Sequence, residues 1–101
     1  MKLIWSPLAL NRLEEIIDYI ALDSTVNADR FADIIFHKIE LLIKFPETGR
    51  IVPELNNNSY RELIFGNYRI IYKTIQNNIH VLTIRHSKRL LDKEEVEKLT
   101  L

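Results

Sequence analysis

The residues best suited to chemistry lie late in the chain. Arg61, Arg69, Lys73, Arg85, Lys88 and Arg89 fall between residues 56 and 91, a segment whose only acid is Glu62. Guanidinium groups are planar, permanently charged and able to grip a phosphate or carboxylate through two N–H donors at once. His86, next to Arg85, is the member of this cluster whose residue type serves as a general acid or base. Six bases against one acid give the segment a charge of +5, although 14 Lys+Arg and 14 Asp+Glu balance over the whole chain. Residues 1–55 carry six bases against nine acids, or −3. The field is too weak for binding nucleic acid at large, but it leaves a usable local patch.

Other chemistries find fewer residues. With no cysteine, disulfides, thiolate metal sites and a Cys nucleophile are all excluded. His37, His80 and His86 are not followed two or four residues later by a second ligand, so no metal site is expected, and no cofactor. Glu14, Glu15 and Asp18 read as a solvated helix face, and Glu94, Glu95 and Glu97 as a charged tail. Ser59 and Ser87 lack the Gly-flanked turn that exposes a nucleophilic serine. Gly49 and Gly66 stand too far apart to form a phosphate-cradling loop.

The elements that must position the basic cluster follow from the change of apolar period. Lys2–Trp5 reads as a short strand. Ser6-Pro7 supplies an N-cap and a proline for the first helical position. Leu10, Leu13, Ile16, Ile17, Ile20 and Ala21 then form the stripe of a helix over about 7–22. Ser24 or Thr25 caps a second helix running to about Phe45, and so short a link predicts an antiparallel helical hairpin. The second helix carries an apolar arc so wide that it must meet more than one neighbour: the first helix and a sheet, or these and a partner seated in a surface groove. Phe45-Pro46 and Gly49 end it. The period then falls to two, predicting strands at Tyr60–Phe65, Tyr68–Ile75 and Ile79–His86 joined as a meander.

The expected architecture is therefore α+β, in the order β-α-α-β-β-β, with a helical hairpin packed on a small antiparallel sheet. At 101 residues and 47% hydrophobic, one domain spanning 1–101 is expected, with 91–101 as a weakly helical C-terminal tail. No stretch approaches 18 apolar residues, and no signal-peptide pattern opens the chain, so a cytoplasmic protein without membrane contact is expected.

Five segments, in order and spacing, carry a resemblance: WSPLALNRLEEIIDYI, NADRFADII, FPETGRIVPEL, YRELIFGNYRIIYK and IHVLTIRHSKR. Together they resemble the ParE/RelE superfamily of type II toxin–antitoxin toxins, the ParE-like branch in particular. The resemblance spans about residues 3–90. It implies the β-α-α-β-β-β fold, a role in plasmid stabilisation or addiction, and a cognate antitoxin partner. That antitoxin would lay a partly helical segment over the toxin in a hetero-oligomer. Leu8, Tyr19 and Leu22, on the side of the first helix away from its main stripe, are candidates for its binding groove.

The superfamily divides over mechanism. Resemblance to the ParE-like branch implies inhibition of DNA gyrase without cleavage. Resemblance to the RelE-like branch implies a metal-independent ribonuclease acting on mRNA in the ribosome, in which a base, an acid and cations surround one phosphate. On that alternative Arg61, Arg69, His86 and Glu54 are the catalytic candidates. Of the paired lysines of that branch only Arg61 keeps a charge, because Leu63 stands at the other place. No tyrosine follows Tyr72 to match the terminal tyrosine of those enzymes. These departures favour the ParE-like side, as does the His-x-x-Arg ending of His86 and Arg89. A toxin-like fold that only binds its partner is the third possibility.

Overall fold

The computed structural model describes residues 1–86. The tail from Leu91, and with it Lys88 and Arg89, lies outside the described residues. Strand β1 (Leu3–Trp5) leads into helix α1 (Pro7–Ala21) and helix α2 (Thr25–Glu40). Strands β2 (Arg50–Ile51), β3 (Tyr60–Phe65), β4 (Tyr68–Ile75) and β5 (Asn78–His86) follow. The sheet order is β1-β5-β4-β3-β2. Strands β2 to β5 form an antiparallel meander, while β1 joins the outer side of β5 in parallel, so the sheet is mixed. The α+β fold with a helical hairpin on a sheet matches the expected order. Strand β2 is an addition too short to show a period of its own.

Local chemistry sets the hairpin. The Ser6 hydroxyl accepts the Ala9 N–H at 3.0 Å and starts α1, with Pro7 inside the first turn. Ser24, rather than Thr25, caps α2 by accepting the Asn27 N–H at 3.1 Å. Ala9 and Leu13 are buried against the sheet, with Ile16, Ile17 and Ile20 packed beside them. Leu10, placed on this stripe by spacing, lies at its margin and is 48% exposed. Helix α2 buries Ala28, Phe31, Ile35 and Ile39. It stops at Glu40, five residues short of the expected end, and tightens into a 3-10 turn at Leu41–Ile43. The cause lies ahead of it: the residue before Pro46 is pushed out of helical geometry, so the last carbonyls close early. Helix α1 and the sheet cover only one stripe of α2, so Phe36 remains exposed, as do Leu41, Ile43 and Phe45 beyond the helix end.

The turns and one bulge set the strand faces. Gln76 and Asn77 both adopt positive φ between β4 and β5, the backbone pattern whose twist suits a two-residue hairpin. In β5 the register slips, Ile71 facing Thr83 but Tyr72 facing Val81, so Leu82 is an extra residue. That shift keeps Ile79, Val81 and Ile84 all in the helix-side core. It turns Leu82 to the opposite face, where it joins Val52, Leu55, Tyr60 and Ile71 in a second apolar cluster. A bulge interrupts the ladder, and here the Ser6 hydroxyl donates to the Leu82 carbonyl at 2.6 Å while the Ser6 N–H donates to the Val81 carbonyl at 2.9 Å.

Ser6 thus joins a helix cap to a bulge through one hydroxyl. Ser6→Ala is expected to lower unfolding stability by about 1–2 kcal/mol, since both an N-cap and a partly buried hydrogen bond are lost. Urea titration followed by circular dichroism measures it, and an unchanged midpoint would contradict the double role.

Candidate functional site

The sheet has two unlike faces, and the basic residues are divided between them. On the face away from the helices, a 3-10 turn at Pro53–Leu55 is held down by Val52 and Leu55. This turn brings Glu54 over Arg69 of β4. Arg69 Nη1 and Nη2 donate to the two oxygens of Glu54 at 2.6 and 2.8 Å, a bidentate fork. Its Nε and Nη2 reach Glu62 Oε1 at 2.8 and 2.6 Å. The other oxygen of Glu62 accepts from Arg50 Nε at 2.7 Å, across the β2–β3 pairing. Arg69 and Glu62 are both buried, with the Glu62 side chain fully enclosed.

Arg69 is therefore internally neutralised. Its pKa is raised above the ordinary value, chiefly by the Glu54 hydrogen bonds and further by Glu62, against the opposing effect of burial. Removing its guanidinium would leave the Glu62 carboxylate buried beside Arg50 alone, a change that typically costs about 3–5 kcal/mol. Lys73, on the same strand, sits 4.6 Å from the centre of the Tyr60 ring. Arg85 pairs in register with Arg69.

Arg61 belongs to the helix side and is occupied differently. It donates to the Gly49 carbonyl at 2.7 Å, and the Tyr72 hydroxyl beside it donates to the Pro46 carbonyl at 2.7 Å. The Gly49 N–H in turn donates to the Tyr72 oxygen at 2.9 Å. These bonds fasten the loop after α2 across the sheet. Gly49 leaves no room for a side chain: a Cβ there would stand 2.6 Å from the Glu62 carbonyl oxygen and 2.7 Å from the Tyr72 ring.

His86 also lies on the helix side. It faces Tyr68 across the β4–β5 pairing, with ring centres 5.9 Å apart, and Tyr68 meets Phe31 of α2 edge-on. A shallow cavity of about 210 Å³ opens there, lined by Arg12, Glu15, Tyr68 and His86 among others. The Glu54, Arg69 and His86 grouping is thus divided by the sheet, two on one face and one on the other. The basic patch inferred from sequence separates likewise: Arg61 and His86 on the helix side, Arg69 and Lys73 on the other. Among the described residues no group of three or more His, Asp and Glu converges as a metal site, and no described helix is long and apolar enough to cross a membrane.

Of the residues proposed for a groove, Tyr19 and Leu22 lie together at the end of α1 and are strongly exposed, whereas Leu8 is half-buried three turns away. Sequence reasoning placed Arg50 and Glu62 in no site. The available signal was Glu62 itself, a lone acid in a basic segment, standing at the same alternation as the apolar Tyr60.

The fold is a small α+β domain, a helical hairpin packed on one face of a five-stranded mixed sheet. It is similar to a solved structure described as the chromosomal ParDE TA system from P. aeruginosa, with a TM-score of 0.72 and 21% identity, covering 87% of this chain and 97% of that one. No curated protein matches the chain. The family model for the ParE toxin of the type II toxin-antitoxin system, parDE, matches residues 3–91, and the chain belongs to that family.

Burial raises the Tyr72 pKa above the ordinary 10, outweighing the Gly49 N–H that favours the ionised form. The unfolded chain then ionises at lower pH than the folded one, so this contribution to stability is complete below pH 10 and lost as pH rises through the folded value. In a spectrophotometric titration, Tyr72→Phe is expected to remove ionisation from the high-pH end of the folded protein's curve. A high-pH end unchanged by Tyr72→Phe would contradict the buried hydroxyl.

Proposed function

We propose that this ParE-family toxin acts by inhibiting DNA gyrase and is neutralised by a cognate antitoxin within a stabilisation module in the cytoplasm. The observation that carries the choice of target is the division of the acid–base candidates. Cleavage of RNA by its own 2′-hydroxyl needs a base, an acid and cations around a single phosphate. Glu54 and Arg69 are locked to each other on one face of the sheet, and His86 stands on the other. A toxin that works by binding needs no such convergence, which favours gyrase over mRNA.

Exposed apolar surface supports the antitoxin partner. Leu3, Leu41 and Ile43 line one trough beside His37, Glu40 and Lys44. Leu41, Phe45, Leu63 and Ile64 line another. Contiguous apolar surface of this kind suits the apolar face of a partner segment laid along α2 and the outer strands.

Purified toxin offered to supercoiling gyrase and, separately, to translating ribosomes tests the reading. Inhibited supercoiling or trapped gyrase–DNA breaks with intact mRNA are expected. Codon-phased mRNA cuts with unaffected gyrase would overturn the target, and inertness in both would overturn the toxin reading.

A further inference from the structure

The end of the helical hairpin is the least self-satisfied surface of the described chain. Leu22 is 83% exposed, Tyr19 70% and Val26 62%, the three highest values among its large apolar residues. All three fall within eight residues across the turn between α1 and α2. The hairpin does not need them for its own packing: its turn is closed by the Asp23 and Ser24 N–H groups donating to the Ile20 carbonyl and by the Ser24 cap. Their neighbours along the chain are equally one-sided. Residues 13–29 hold Glu14, Glu15, Asp18, Asp23 and Asp29 and no Lys, Arg or His. All five acids are exposed, and among the described residues Glu15 alone of them has an ion-pair partner, Arg12.

An exposed apolar centre flanked along the chain by exposed carboxylates, with Arg12 and Arg30 the nearest bases on either side, favours a basic complement. The carboxylates repel nucleic acid and anionic lipid, and they equally repel an acidic protein segment. What fits is a folded protein surface with an apolar recess for Leu22 and Tyr19 and a rim of Lys and Arg. We propose that the hairpin tip, Tyr19, Leu22 and Val26 with Asp18, Asp23 and Asp29, is the docking surface for the toxin's target protein, whose matching patch is basic. This rests on the toxin reading and deepens it: Tyr19 and Leu22, expected from sequence to meet the antitoxin, grip the target instead, leaving the apolar troughs along the end of α2 for the antitoxin. Apolar anchors hold such a contact, while the surrounding charges chiefly speed its formation.

The test uses the full chain, with binding to immobilised DNA gyrase and growth arrest on induction as readouts. Leu22→Asp/Val26→Asp changes only exposed side chains, so folding is expected to survive, as checked by an unchanged melting curve. Gyrase binding is expected to weaken at least tenfold and colony survival to rise by at least tenfold, with co-elution of the antitoxin unchanged. Asp18→Asn/Asp23→Asn/Asp29→Asn is expected to slow association and to flatten its dependence on salt. Active wild type with equally active tip variants would overturn the tip alone. Loss of antitoxin co-elution in the tip variants would reassign the surface to the antitoxin and overturn the proposal. An arrest relieved by the variants without gyrase binding in the wild type would support the tip and reject gyrase as the target. An inert wild type would reject the toxin reading and the tip with it.

Discussion

The structure hangs on a fully enclosed carboxylate. Glu62 sits within β3 with no access to water, and an isolated charge there would be prohibitive. It is tolerated because Arg69 reaches it from β4 and Arg50 from β2, one cation on each oxygen. Three adjacent strands are thereby tied at one point on the face opposite the helices. Glu54 completes the set by gripping the outer side of Arg69, and in doing so it pins the Pro53–Leu55 turn over the second apolar cluster. No buried side-chain polar atom among the described residues is left without a partner. A cluster satisfied to that degree works as a strut.

That constraint shapes the functional reading. The arginine most suggestive of phosphate chemistry in sequence is the one most committed to holding the sheet together. The helix side spends its polar groups in a similar way. Arg61 and Tyr72 fasten the loop after α2, and Ser6 bridges a helix cap and a strand bulge. What remains available to partners is the surface that internal packing does not use: the apolar margins of α2, the edge strands, and the hairpin tip.

Much of the fold was legible because local signals and tertiary demand coincide. Ser6-Pro7 and Ser24 mark helix starts by the same hydrogen bonds seen in the structure, and the three long strands show their alternation plainly. The wide arc of α2 was legible as a surplus of apolar surface, but its width alone left open whether the fold or a partner covers the excess. The candidate site was legible in composition and not in geometry. Residue types at Arg61, Arg69 and His86 name the chemistry available, but their division between two faces depends on strand pairing. Nor can spacing reveal that Leu82 is a bulge, since its effect appears only against the register of β4. Glu62 was hidden for a different reason: a glutamate in a strand is ordinarily solvated, and only the convergence of Arg50 and Arg69 from distant positions permits its burial.

The central claim is that the Arg69–Glu62 pair is structural. It is tested most directly by a double-mutant cycle of Arg69→Met and Glu62→Leu, read by chemical denaturation and by growth arrest. Arg69→Met is expected to be destabilised by about 3–5 kcal/mol, because Glu62 is left fully buried with Arg50 alone. Glu62→Leu is expected to lose less, because Arg69 keeps its bidentate pair with Glu54. The double variant, whose charges are both gone and whose volume is roughly kept, is expected to recover most of that stability and to arrest growth as the wild type does. A stable double variant that no longer arrests growth would contradict the account, since the charge of Arg69 would then be needed for more than the fold.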